Sequence, residues 1–194
     1  MSARADRDSQ TGQVKLSGVT RPLSLSDVIT QHWRHRSSWR LASLDHVCHT
    51  CELNDQFDEL PLRERIYLDE SWRVAHGWSA LPGWLVVALR RHAEALDELT
   101  ATEAVALGQV LRAASVALRH TVGCEKTYVI LFAEHPRYPH VHLHVVPRMP
   151  WFTENDKATE VFRFLNVPEG DQVEVPERER LASEIRARML EAIR

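Results

Sequence analysis

Three histidines at alternate positions, His140, His142 and His144, are the feature of this sequence that most directly indicates chemistry. Successive side chains of a β-strand point to opposite faces, so the three imidazoles would share one face. The residues between them, Val141 and Leu143, are apolar and would face a core. Because a row of three polar rings is a poor packing surface, the pattern predicts a functional site.

Two chemistries fit such a row. In one, two or three of the histidines bind zinc, and a metal-bound water becomes the nucleophile. In the other, one neutral imidazole attacks phosphorus itself and forms a labile N–P bond. That second chemistry needs donors for the developing negative charge, and the loop around Arg137 together with Arg148 could supply them. The row alone leaves both open.

A second pattern that indicates chemistry is Cys48-x-x-Cys51. Three cysteines cannot build a disulfide framework, so the pair suggests a metal site or a redox pair, with two free thiols as the remaining possibility. His46 and His49 flank the pair and are alternative ligands. Cys124 has no such neighbour and is interpreted as an incidental thiol.

Composition narrows the possible partners and location. The chain has 24 Lys+Arg against 27 Asp+Glu and a net charge of −3, which excludes the broad basic face of a DNA-binding protein. No apolar run approaches the ~18 residues that cross a bilayer, so no membrane partner is expected. The N-terminal residues are polar and unlike a signal peptide, and we therefore expect a cytoplasmic protein.

The elements that must position these residues follow from periodicity and capping signals. A capping box at Thr100 and Glu103 introduces an amphipathic helix that ends near Gly123. Strands before and after it predict an α+β fold with a largely antiparallel sheet. The predicted strands are 72–75, 84–89, 127–133 and 141–146, and a last helix covers 176–193. The predicted segments are a disordered tail (1–22), an appended helix (23–43), a catalytic domain (44–150) and a C-terminal helical extension (151–194).

The segment His140-Val-His-Leu-His144-Val-Val146 resembles the signature of the histidine triad (HIT) family of nucleotide hydrolases and transferases. The segment from Leu81 to His92, with its Pro-Gly, its apolar strand and its basic end, is similar to the family's preceding strand. The resemblance covers about residues 45 to 150. It implies a mainly antiparallel five-stranded sheet with a crossover helix, and a homodimer.

The resemblance also implies roles for individual residues. His142 would attack the α-phosphate of a purine nucleotide, such as a dinucleoside polyphosphate or a phosphoramidate, to give a nucleotidyl-histidine. His144 would bind phosphate or leaving-group oxygens. Further substrate contacts would come from His76, Arg137, Tyr138 and Arg148. A structural zinc would be bound by Cys48, Cys51, His92 and His140, a closed set of two thiolates and two imidazoles.

The sequence departs from the family pattern at two places. Trp84 stands where the family usually has a histidine that supports the active site, so a polar group is expected to be absent there. The loop before the triad, His135 to Pro139, lacks the usual Gly-Gln-Ser/Thr pattern. Two alternatives therefore stay open: a zinc-stabilised nucleotide-binding module without catalysis, and a metal-activated hydrolase that uses the triad as ligands.

Overall fold

The computed structural model describes residues 48–165 and 167–194. The predicted N-terminal tail (1–22) and appended helix (23–43) lie outside the described residues. Residues 47–194 form one compact unit. Among the described helices, none combines the length and the apolar character needed to cross a membrane.

Five strands form one sheet in which every pairing is antiparallel, which confirms the predicted α+β architecture. The strand order across the sheet is β1-β2-β3-β5-β4. Strand β5, which carries His142 and His144 and directly follows His140 and Val141, therefore lies between β3 and β4. The strands are β1 (Tyr67–Leu68), β2 (Trp72–His76), β3 (Leu85–Leu89), β4 (Lys126–Ile130) and β5 (His142–Arg148).

Within the described part of the chain, three α-helices accompany the sheet: α1 (His49–Asp55), α2 (Ala101–Thr121) and α3 (Val175–Ile193). Helix α2 begins as predicted, because the Thr100 side chain accepts a hydrogen bond from the Glu103 backbone N–H and the Glu103 carboxylate accepts one from the Thr100 N–H. Gly123 follows the helix with a φ of 67°, a left-handed conformation that suits glycine.

The main core lies between one face of the sheet and helices α2 and α3. Val141, Leu143 and Val145 are buried on this face, as the alternation predicts. Helix α3 buries Leu181, Ile185 and Met189 in the same cluster, at the predicted four-residue spacing. The last part of the predicted C-terminal extension therefore shares one core with the sheet.

A second, smaller apolar cluster lies on the triad face of the sheet. It joins Trp84 and Val146 to Phe152 and Val161 of the C-terminal segment. A 3₁₀ helix, Ala158–Phe164, presents Val161 to the sheet. The C-terminal segment thus covers the triad face beyond His144.

Two strand ends differ from the prediction by more than one residue. Strand β4 ends at Ile130, earlier than predicted. Ala133 adopts a φ of 57°, a left-handed conformation through which an extended strand cannot continue. Strand β5 continues through Pro147 to Arg148, two residues beyond the predicted end at residue 146. Pairing of β5 with β3 reaches only Val145, so beyond that point the missing N–H of Pro147 removes no ladder bond to β3.

Candidate active site and zinc centre

The hydrogen bond made by His142 selects its tautomer. Its Nδ1 lies 2.7 Å from the backbone carbonyl oxygen of His140, and a carbonyl only accepts, so Nδ1 carries the proton. The lone pair is consequently on Nε2. Burial lowers the pKa of His142, which favours the neutral ring. A neutral imidazole with a free Nε2 lone pair can act as a nucleophile.

His144 has the opposite tautomer. The indole Nε1–H of Trp84 lies 3.0 Å from Nδ1 of His144, and because an indole N–H only donates, Nδ1 accepts and Nε2 carries the proton. Burial, followed by the neighbouring His142, lowers the pKa of His144 to about 4. The two rings lie 5.2 Å apart with an interplanar angle of 84°. A lone pair and an N–H donor therefore stand side by side.

Trp84 supplies the polar group that its replacement of histidine was expected to remove. The side chain is fully buried, and its ring packs edge-on against His144 at 5.7 Å. Gly77 lies directly against the indole, since a Cβ at this position would be 2.8 Å from Cδ1 of Trp84. No local pattern in the sequence indicates this role, because Trp84 and His144 are 60 positions apart.

His76 holds the turn before Trp84 and has little surface to offer a ligand. Only 1% of the residue is exposed. Its Nε2 accepts a hydrogen bond from the Gly83 N–H at 3.0 Å, and its Nδ1 donates to the Gly77 carbonyl oxygen at 2.8 Å. Burial lowers the pKa of His76 to about 4. The geometry favours a structural role over the substrate contact expected from sequence.

The loop before β5 lies beside the triad. The ring of Tyr138 is 6.5 Å from that of His142, and the Arg137 guanidinium lies 5.9 Å from the centre of the Tyr138 ring. Arg137 is exposed, so its charge is available to an anionic ligand. The structure thus brings these two predicted contacts together with the triad.

Arg148 lies at the far end of β5. It lies six positions along the strand from His142, a distance of about 20 Å between backbones at the usual rise. Its guanidinium forms an ion pair with Glu125. The structure does not bring Arg148 to the triad.

The four predicted metal ligands converge. The ligand atoms of Cys48, Cys51, His92 and His140 all lie within 4.8 Å of one another. Nδ1 of His140 is 3.4 Å from the Cys48 sulfur and 3.6 Å from the Cys51 sulfur, and Nδ1 of His92 is 3.4 Å from the Cys51 sulfur. Usual Zn–S and Zn–N bond lengths give a tetrahedral S···N edge of about 3.5 Å. This donor set fits a structural zinc ion.

The outer nitrogens of both imidazoles have oxygen neighbours that orient the rings. Nε2 of His140 is 2.7 Å from the Leu89 carbonyl oxygen, and Nε2 of His92 is 3.4 Å from a Glu94 carboxylate oxygen. Such contacts turn Nδ1 towards a metal. The alternative ligand His49 bonds the Glu52 carboxylate instead, and His46 lies outside the described residues.

His142 and His144 do not belong to a group of metal donors in the part of the chain that the structure describes. The group found there contains His140 only, of the three triad histidines. His140 thus faces the cysteines, while the other two rings face each other and Trp84. The four predicted zinc ligands and the His142–His144 pair are therefore two separate groups of side chains.

Two phenylalanines that the sequence analysis did not single out complete the site. The Phe162 ring lies 5.9 Å from His144 and 5.8 Å from Trp84. The Phe132 ring lies 5.6 Å from Phe162. Phe162 comes from the C-terminal segment, and only the folding of that segment onto the sheet brings it to the triad.

No family model matches the sequence, and no curated protein matches it. Solved structures with a similar fold include a Hit-like protein involved in cell-cycle regulation from Bartonella henselae, with a TM-score of 0.57 and 18% identity over 74% of this chain and 97% of that chain. A hypothetical histidine triad nucleotide-binding protein from Sulfolobus tokodaii has a TM-score of 0.56 and 19% identity over 74% and 93% of the two chains. A Zn-bound histidine triad family protein from Mycobacterium smegmatis has a TM-score of 0.53 and 21% identity over 74% and 94%.

Proposed function

We propose, from the premise that this chain has the fold of histidine triad proteins, that it cleaves a phosphoanhydride or phosphoramidate at the α-phosphate of a purine nucleotide. The acceptor is water in hydrolysis or another nucleophile in nucleotidyl transfer. The observation that carries the proposal is the pair of complementary tautomers on β5: a free lone pair on Nε2 of His142 beside an N–H on Nε2 of His144.

In the first step, Nε2 of His142 attacks the α-phosphorus and forms an N–P bond. The bond from phosphorus to the leaving group breaks, and its electron pair leaves with the oxygen of a phosphoanhydride or with the nitrogen of a phosphoramidate, which takes up a proton from solvent and departs as the amine. The Nε2–H of His144 donates to a phosphate or leaving-group oxygen, where negative charge develops. The His142 ring becomes positive, and its Nδ1–H remains bonded to the His140 carbonyl.

In the second step, a water oxygen attacks the phosphorus of the nucleotidyl-histidine and releases a proton to solvent. The N–P bond breaks, and its electron pair returns to Nε2 of His142. The neutral ring and a nucleoside monophosphate result. Arg137 and Tyr138 of the adjacent loop are the residues we assign to holding phosphate oxygens through both steps.

We assign the zinc a structural role, separate from both steps. Cys48 directly precedes α1, His92 follows β3, and His140 precedes β5. One ion bound by these residues would therefore link three parts of the chain. A set of four protein ligands leaves no open position for a water. The zinc-bound protein from Mycobacterium smegmatis, which shares the fold, is consistent with this assignment.

The test compares wild type with His142→Ala on a panel of dinucleoside polyphosphates and adenosine phosphoramidates, with products separated by chromatography. We expect nucleoside monophosphate from wild type and a loss of at least about a thousandfold in the variant. Because the N–P bond is stable in alkali and labile in acid, denaturation in alkaline detergent should trap a labelled nucleotidyl-protein only where His142 is present. His120→Ala, an exposed histidine at the end of α2, is the matched control and should keep full activity.

Three other outcomes would contradict the proposal. Equal turnover by wild type and His142→Ala would exclude His142 as the nucleophile. Activity that zinc chelation and His144→Ala abolish together, without a trapped intermediate, would indicate metal activation. Nucleotide binding without turnover across the panel would indicate a binding module.

A further inference from the structure

Two aromatic rings, those of Phe162 and Phe132, extend in a row from His144. Phe162 lies beside His144, with 5.9 Å between ring centres. Phe132 lies beside Phe162 at 5.6 Å, with an interplanar angle of 47°. The row therefore begins at the proposed phosphate site and ends at Phe132.

The C-terminal segment holds Phe162 firmly at this place. The neighbouring Val161 is fully buried in the cluster on the triad face. The Ala80 backbone N–H donates to the Phe164 carbonyl oxygen at 2.8 Å. The Asp156 carboxylate closes the turn before the segment by accepting from the Thr153 N–H and hydroxyl. Because packing and hydrogen bonds fix the backbone on both sides of Phe162, its ring is preorganised for contact with a ligand.

Phe132 presents its ring to solvent. The residue is 58% exposed, although phenylalanine is among the residue types most often buried. The next residue, Ala133, is buried and adopts a left-handed φ of 57°. A non-glycine residue pays a steric cost for that conformation, and such costs cluster at ligand-binding sites. The exposed ring of Phe132 is thus attached to a constrained backbone and lies beside the ring of Phe162.

We propose that Phe132 and Phe162 form an aromatic platform that stacks a planar ring of the substrate while the phosphorus lies against His142. This inference rests on the proposed function. Both rings are uncharged and contact a second aromatic ring, which suits a planar aromatic group better than an ionic one. The planar ring is either the nucleobase or an aromatic leaving group, and the experiment below distinguishes these two sources.

The test measures KM and kcat for two substrates in wild type, Phe132→Leu and Phe162→Leu. In adenosine 5′-phosphoramidate, the base is the only aromatic group. The p-nitrophenyl ester of AMP also carries an aromatic ring on its leaving group. We expect KM to rise about tenfold with little change in kcat, because stacking binds ground state and transition state alike. Trp151→Leu is the matched control: this residue is 56% exposed in the same segment, and its ring neighbours are Phe152 and Phe164.

A rise in KM for both substrates would support the platform and assign it to the nucleobase. A rise for the aryl ester alone would support it and assign it to the leaving group. Unchanged KM values, or an equal rise in Trp151→Leu, would overturn the inference. Light scattering adds a further check: if Phe132→Leu dissociates an oligomer while KM stays unchanged, Phe132 is a subunit contact and the platform is wrong.

Failure of the proposed function can be told apart from failure of the platform. If wild type turns over neither substrate, the proposed function is wrong for this panel, and AMP binding is measured by titration calorimetry. An approximately tenfold weaker Kd in Phe132→Leu would still support the platform. An unchanged Kd for AMP, together with an unchanged Kd for the uncleaved p-nitrophenyl ester measured in the same way, would overturn it. Since Phe132 is exposed, this variant tests the platform even if Phe162→Leu fails to fold.

Discussion

At the scale of single residues, one hydrogen-bond acceptor and one donor set the chemistry of the triad. The backbone carbonyl of His140 and the indole of Trp84 fix opposite tautomers on His142 and His144. The first contact is local, and the alternation of histidines made the face of the strand predictable. The second joins residues 60 positions apart. Sequence could place the rings on one face, but it could not show which nitrogen carries each proton.

Trp84→Phe tests the indole contact. The variant keeps a buried ring of similar shape but removes the N–H that bonds Nδ1 of His144. We expect kcat to fall about tenfold, the equivalent of one hydrogen bond of about 1.4 kcal/mol, with KM within about twofold of wild type. Steady-state kinetics together with thermal unfolding measure both effects. A fall in kcat that only follows a loss of folded protein would assign Trp84 a packing role alone.

The pKa of His76 predicts how the free energy of unfolding depends on pH. Burial lowers its pKa from 6.5 to about 4 in the folded protein, so the unfolded chain binds more protons between these values. The free energy of unfolding should therefore be highest above about pH 6.5 and should fall as the pH drops towards 4, by up to about 3 kcal/mol from this residue. Urea unfolding of wild type and His76→Gln at fixed zinc measures the difference. Parallel pH profiles would contradict the assignment.

At the scale of elements, the strands and helices with strong periodicity were predictable, and those fixed by tertiary contacts were not. The capping box at Thr100 located the start of α2 because its hydrogen bonds are local. Strand β5 extends past Pro147 because its neighbour β3 pairs only as far as Val145, which no local pattern reveals. For the same reason, no local pattern indicates that Phe162 of the C-terminal segment lies against His144.

The turn before β3 depends on a glycine. Gly83 has a φ of 81°, and a Cβ there would lie 2.9 Å from a methyl group of Leu118 on α2. We expect Gly83→Ala to lower the free energy of unfolding by about 2 kcal/mol, because it adds both backbone strain and a clash. Urea unfolding measures the change. Gly108→Ala is the matched control: it lies within α2 with nothing within 4 Å, and it should raise stability by about 0.5–1 kcal/mol.

At the scale of the whole molecule, one core and one metal site hold the described unit together. The core joins the sheet to α2 and to the C-terminal helix α3. The metal site joins α1 to the ends of β3 and β5. Both were predictable in part, since spacing in α3 gave its buried face and the resemblance gave the four ligands. Strand β4 lies at an edge of the sheet with Val129 46% exposed, and the homodimer stays a prediction for such an edge.

Zinc removal tests the metal site. We expect one zinc per chain and a clear fall in the melting temperature when a chelator removes it, because metal binding to a folded site contributes to folding free energy. Cys51→Ser should lose the metal and show the same fall without chelator. Cys124→Ser, a buried cysteine outside the ligand group, should keep its zinc. Mass spectrometry measures the metal content, and calorimetry measures the melting temperature. An unchanged melting temperature after chelation would exclude a structural ion.

His140 belongs to two sites at once. Its imidazole faces the cysteines, and its backbone carbonyl accepts the Nδ1–H of His142 at 2.7 Å. Any exchange of the bound metal for a larger one, or any redesign of the ligand set, that shifts this backbone also shifts the atom that orients the nucleophile. Variants made to alter metal preference in this protein should therefore be ranked by turnover number as well as by metal affinity.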